Sequence, residues 1–148
     1  MIITLSTGES KNDKKIAEVN VIREEIENVA VLYDISNQLA GNEWNQKQKW
    51  HYACFAKDEG ASIGCAVISR FPLCDVKTHC MDIRCQREKQ PSVRPVVQVT
   101  VCVDDLDLQV FAVHWKSKVG DELSTEIWRD WQEALVAKQL MESGAGAC

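Results

Sequence analysis

The chain has 148 residues and a formal net charge of −5, with 45% hydrophobic and 26% charged residues. That is the make-up of one ordinary folded domain, long enough to bury about two-thirds of its unfolded surface. The negative balance argues against broad electrostatic adhesion to nucleic acid, although a bound metal could supply a local positive field. No apolar run approaches the roughly 20 residues of a membrane span. The opening MIITLSTGESKNDKK lacks the basic stretch and long apolar core of a signal peptide, so a cytoplasmic location is expected. Seven cysteines, at 54, 65, 74, 80, 85, 102 and 148, form no CxxC pair and are expected to be reduced. A zinc site drawn from His51, Cys54, His79, Cys80 and Cys85 fits no common ligand spacing.

In chain order, residues 2–5 read as a short strand and 6–15 as a polar loop. From about Asn12 the apolar period becomes helical. Ile16, Val19, Ile22 and Ile26 recur at three- and four-residue steps, Val29, Leu32, Ile35 and Leu39 continue them, and Gly41 stops the run. After a polar loop at 42–49, strands are expected at 50–56, 62–69 and 73–79, with a turn at 57–61. Residues 81–94 form a basic loop holding Arg84, Arg87, Lys89 and Arg94, which is either a solvated loop or one facing phosphate.

A β-hairpin is the strongest expectation. Val97, Val99, Val101 and Val103 alternate with polar or smaller residues, and Asp104 and Asp105 supply the turn. Leu106, Leu108, Val110, Ala112 and His114 then share one face, with Phe111, Val113 and Trp115 on the other. Ser124 can cap a helix running to Met141, with Ile127, Trp131, Leu135 and Leu140 along one side, before a frayed SGAGAC tail. Strand pairs mixed with helices predict an α+β layered domain.

Three stretches carry residues suited to chemistry. They are EIENVAVLYDISNQL at 25–39, GCAVISRFPLCDVKTH at 64–79, and HWKSK at 114–118. In this order and spacing they resemble the endonuclease/exonuclease/phosphatase superfamily, the metal-dependent phosphodiesterases related to pancreatic deoxyribonuclease. The matching segments are that family's E-[IV]-E-N segment with the helix after it, its G-x-A-x-[IL]-S-R-[YF]-P-[IL] strand, and its HxKS strand end. The resemblance covers roughly residues 25–140. It implies a layered α/β sandwich and Mg²⁺- or Mn²⁺-dependent hydrolysis of phosphate esters, with nucleic acid the foremost substrate. It also implies roles. Glu25 would hold the metal and Asn28 would support it. His114 would sit beside the scissile phosphate, and Lys116, Ser117, Arg70 and Arg94 would orient or contact phosphate. Simpler roles stand beside these: exposed helix charges for Glu24, Glu25 and Glu27, a helix N-cap for Asn28, a salt bridge for Arg70, and solvent for Lys116.

The chain also departs from the family pattern. An apolar strand should precede Glu25, but EVNVIRE continues the helical period, so the strand is expected to be lost in one fused helix. The family's G-D-x-N and S-D-H segments, and the asparagine of its first strand, find no match. The fold is therefore expected to be incomplete, comprising the N-terminal and central part only. One reading is a metal-dependent phosphodiesterase. The other is a catalytically incomplete binding module whose exposed sheet edges attract a second copy or a partner chain.

Overall fold

The computed structural model describes residues 2–6, 20–39, 52–83, 90–119 and 122–144. The hairpin forms as expected. Strand β6 (Val96–Val103) pairs antiparallel with β7 (Leu106–Ala112), in register from Val97↔Ala112 to Val103↔Leu106. Asp104 takes a φ of +55° in the two-residue turn, a conformation that aspartate tolerates better than most side chains.

Two antiparallel sheets grow from this start. One has the order β1-β7-β6-β5, where β1 is Ile2–Ser6 and β5 is Leu73–His79. The other has the order β2-β4-β3, where β2 is Asn20–Ile26, β3 is Tyr52–Ala56 and β4 is Gly64–Ser69. Alternation decides what each face touches. Val97, Val99, Val101 and Val103 of β6, with Leu108, Val110 and Ala112 of β7, pack against Cys65 and Val67 of β4. That cluster joins the two sheets. The opposite face of β4, Ala66 and Ile68, meets Leu32 of helix α1 (Val29–Leu39). The opposite face of the larger sheet, Val96, Phe111 and Val113, meets Val136 of helix α2 (Glu122–Gly144). The layers run helix, sheet, sheet, helix, so every residue of β4 is buried. The domain is mixed α+β, as the sequence predicts.

The fused helix is not formed. Residues 20–26 are a strand, and α1 begins only after Asn28. Asn28 Oδ1 accepts hydrogen bonds from the amides of Ala30 at 2.9 Å and Val31 at 3.3 Å, and so caps the helix. The cap cuts the apolar period in two. Upstream of it, β4 offers a row of backbone groups that a strand can satisfy, and a short apolar period does not separate strand from helix.

The long C-terminal helix is present, but Ser124 lies inside it rather than at its cap. Its buried stripe is also turned from the expected one. Trp128, Gln132 and Val136 face inward, with Leu135 and Leu140 beside them, while Ile127 and Trp131 remain 48% and 49% exposed. Both stripes satisfy helical spacing, and packing chose between them. Residues 12–19, Gly41, the 42–49 loop, Arg84, Arg87, Lys89 and the tail after Gly144 lie outside the described residues.

Strand β5 forms an edge that is blunted. Its register slips between Cys74 and Lys77, Asp75 takes a φ of +47°, and Lys77 pairs with Asp75 at 2.8 Å. A bulge and charges of this kind discourage edge-to-edge pairing.

Two predictions follow from packing. At Gly64 the backbone passes so close to β3 that an added Cβ would meet the carbonyl oxygen of Ala56, which cannot swing aside. Gly64→Ala should cost about 2 kcal/mol or more, read as a lower urea midpoint at unchanged m-value. Cys54 packs against the inter-sheet core, and burial pushes its thiol from the usual 9.0 up to about 11. Below pH 9 the thiol is protonated in both states. Above it the unfolded chain ionises first, so stability should fall between pH 9 and about 11. Comparing wild type with Cys54→Ala across that window should isolate a loss of about 2 kcal/mol.

Candidate functional site

Three strand ends meet at one pole of the sandwich. β7 finishes at Ala112, and the chain runs on from 113 to 118 without regular structure. β6 starts at Val96, beside that end, because Val97 pairs with Ala112. β4 starts at Gly64, just after a turn closed by the Ala61 amide donating to the Asp58 carbonyl at 3.1 Å, with Gly60 at a φ of +75°. Between them opens a cavity of about 460 Å³, lined by residues 60–63, 92–94 and 114–117.

Four of the residues expected at a phosphate site line this cavity: Arg94, His114, Lys116 and Ser117. The segment carrying His114 and Lys116 is held from behind. Trp115 packs on the cluster of Val96, Phe111, Val113 and Val136. Gln132 of α2, 1% exposed, accepts a hydrogen bond from the Lys116 amide at 2.7 Å and donates one to the His114 carbonyl at 3.3 Å. One buried amide therefore grips the backbone on both sides of Trp115. His114 Nδ1 and Arg94 Nε are shut off from solvent.

The described lining of the cavity is cationic in an anionic protein. It includes Arg94, Lys116 and the hydroxyl-bearing Ser62, Ser92 and Ser117, with no aspartate or glutamate among the described residues. Guanidinium, ammonium and hydroxyl groups facing one small space suit an anion with several oxygens. Ser117 also serves a local turn, since its Oγ accepts from the Val119 amide at 3.1 Å.

The remaining expected residues are placed differently. Glu25 lies near the end of β2, within the register shift that precedes the Ile26↔Gly64 pair. Gly64 adjoins Ile63 of the cavity wall. Lys57, which leads into the turn beneath the cavity, donates to the Glu27 carbonyl at 3.4 Å. Ile26 thus pairs with the residue next to the wall, and the Asn28 side chain is engaged in capping α1. Arg70 is carried away from the site. It follows Ser69 at the far end of β4, whose six residues separate it from Gly64 by ~20 Å. There Ser69 Oγ accepts from the Phe71 amide at 3.0 Å, and the Pro72 carbonyl accepts from Cys102 beyond the core of β6. Two ends of one strand cannot serve one small cavity.

His79 belongs to a structural ladder instead. Its Nε2 meets Gln98 Oε1 at 2.7 Å, Gln98 Nε2 donates to Gln109 and to Ser143, and Gln109 Nε2 donates to Thr100. Sequence reasoning also missed Gln132. A signal existed for it: a lone amide between Trp128 and Val136 on one helical stripe marks a buried polar group that must find partners.

A hard divalent cation needs several oxygen ligands. Among the described residues the cavity lining supplies no carboxylate, and no group of three or more His, Cys, Asp or Glu gathers around a possible ion. The side chain of the expected metal ligand Glu25 lies outside the described residues. His51 and Cys85 of the conceivable zinc set lie outside the described residues. Among the described residues no helix is long and apolar enough to cross a membrane. No family model, curated protein or solved structure matches this chain.

The Gln132 clamp is directly testable. Gln132→Ala should remove the partner of two half-buried backbone groups and cost about 1–3 kcal/mol. Hydrogen exchange should show the Lys116 amide protected in the wild type and exposed in the variant. Gln132→Glu, which keeps the acceptor for that amide, should preserve much of the protection.

Proposed function

We propose that the cavity binds a phosphodiester, with nucleic acid the foremost ligand, and that the chain is a layered sandwich of the endonuclease/exonuclease/phosphatase type. One observation carries this reading: Arg94, His114 and Lys116 line a single cavity, beside serine hydroxyls and, among the described residues, no carboxylate. Arg94 offers a fork of donors to two phosphate oxygens, Lys116 offers a point charge, and His114 offers a ring nitrogen for a bridging oxygen. The fold lends support. A strand does precede E-I-E-N, as in the family, and the sheets are layered between helices.

Hydrolysis is the second reading, supported by the resemblance of E-I-E-N and HWKSK to the family segments and by the pairing of Ile26 with Gly64, next to Ile63 of the wall. In that reading His114 would protonate the leaving oxygen. In the same reading Glu25 would hold the Mg²⁺ or Mn²⁺ that the resemblance implies, and the ion would offset charge on the phosphate oxygens. A second copy or a partner chain that completes the donor set belongs to this reading, since β1, β2 and β3 also end their sheets.

Binding is tested by fluorescence anisotropy with a labelled single-stranded oligonucleotide. Arg94→Ala and Lys116→Ala should each weaken binding about tenfold and lower the salt slope by about one. Arg70→Ala should leave both unchanged. Absence of binding by the folded chain at low salt would reject the proposal. Nicking of supercoiled plasmid, in Mg²⁺ against EDTA and with His114→Ala, separates hydrolysis from binding. Titration with Mg²⁺ should show weaker affinity for Glu25→Gln, and an absence of any Mg²⁺ binding by the wild type removes Glu25 from the site.

A further inference from the structure

Two cysteines stand near each other on the outer face of the four-stranded sheet, at the other pole from the cavity. Cys74 of β5 sits opposite Thr100 of β6. Cys102, two residues further along β6, therefore projects from the same face as a diagonal neighbour. The Cys102 amide donates to the Pro72 carbonyl at 3.0 Å, which holds the two strands together beside the pair. The neighbouring Cys74 thiol, followed by burial, pushes the Cys102 thiol up to about 12.

Diagonal cross-strand pairs stand slightly wide for a disulfide. Here the backbone can yield, because the register slips directly after Cys74 and Asp75 occupies a left-handed turn of the chain. Access is unequal. Cys74 is exposed on the edge strand and Cys102 is half-buried. Cys65 lies fully buried between the sheets, and Cys54 packs against the inter-sheet core. Asp107 is the cross-strand neighbour of Cys102 on its other side. Its carboxylate beside the pair disfavours anionic oxidants and favours a small neutral one.

We propose that Cys74 and Cys102 are a reversible redox pair, oxidised by a peroxide to a cross-strand disulfide and restored by a dithiol. Cys74 sulfur attacks one peroxide oxygen, the O–O bond breaks, and the departing oxygen leaves as water, giving a sulfenic acid. Cys102 sulfur then attacks the Cys74 sulfur. The S–O bond breaks, the Cys102 proton goes to the leaving hydroxyl, and a second water departs. Two thiols have lost two electrons and two protons, and one peroxide has become two waters. The bridge would tie the edge strand to the sheet and close the 74–102 loop, which carries residues 92–94 into the cavity wall. The proposal does not depend on what the cavity binds.

The experiment is hydrogen peroxide treatment of the folded full chain, followed by peptide mapping without reduction. The expected result is one linked species joining the Cys74 and Cys102 peptides, reversed by dithiothreitol. The melting temperature should rise by about 5 °C. Cys102→Ser should abolish the link and leave Cys74 as a sulfenic acid that dimedone traps, whereas Cys54→Ser should keep the link. Two free thiols after treatment, or Cys74 joined to any other cysteine, would overturn the proposal, as would Cys74 over-oxidised beside a free Cys102 in the wild type.

Discussion

Everything in this molecule depends on covering both faces of two small sheets. Each of β4, β6 and β7 presents apolar side chains on both sides, and a sheet with two apolar faces cannot leave either in water. Packing the sheets together covers one face of each, through Cys65 and Val67 against the valines of β6. The remaining faces need helices, and α1 and α2 supply them through Leu32 and Val136. With the centre filled by apolar side chains, polar chemistry is left to the ends of the strands.

The cavity follows from that arrangement. β4, β6 and β7 place their entry or exit segments at one pole, and each contributes part of the lining. Loops would be a loose mounting for chemical groups, but here the loop is gripped. Trp115 is anchored in the outer core, and Gln132 holds the peptide groups on both sides of it. A rigid helix thereby sets where His114 and Lys116 stand, which is how precise sites are usually built.

Much of this architecture was legible in the residues. The alternating valines, the Asp104–Asp105 turn and the two faces of the second strand emerged as read, because period-2 patterning over a long hairpin has no helical rival. The stretch before Asn28 was misread because its apolar spacing is helical, while the partner that makes it a strand, β4, lies some forty residues away. The stripe on α2 was misjudged by one position, since Trp128 and Trp131 are both large and apolar and only tertiary packing separates them. For the site, HWKSK and Arg94 pointed to the same cavity. Arg70 did not, because a motif records sequence neighbours and says nothing of which end of a strand they occupy.

The pairing of β1 has a consequence in time. Ile2 lies beside Ala112, and Ser6 beside Leu108, so the earliest strand can dock only on a strand made about a hundred residues later. At ordinary synthesis rates that interval is roughly ten seconds. Throughout it β1 has no partner within the sheet, and once β7 is made it forms an open apolar edge until β1 arrives. Local pairs such as β6 with β7 close quickly, whereas such distant pairing closes slowly. During that delay another copy's β1 is chemically equivalent, and an exchange of first strands between nascent chains would satisfy the same register.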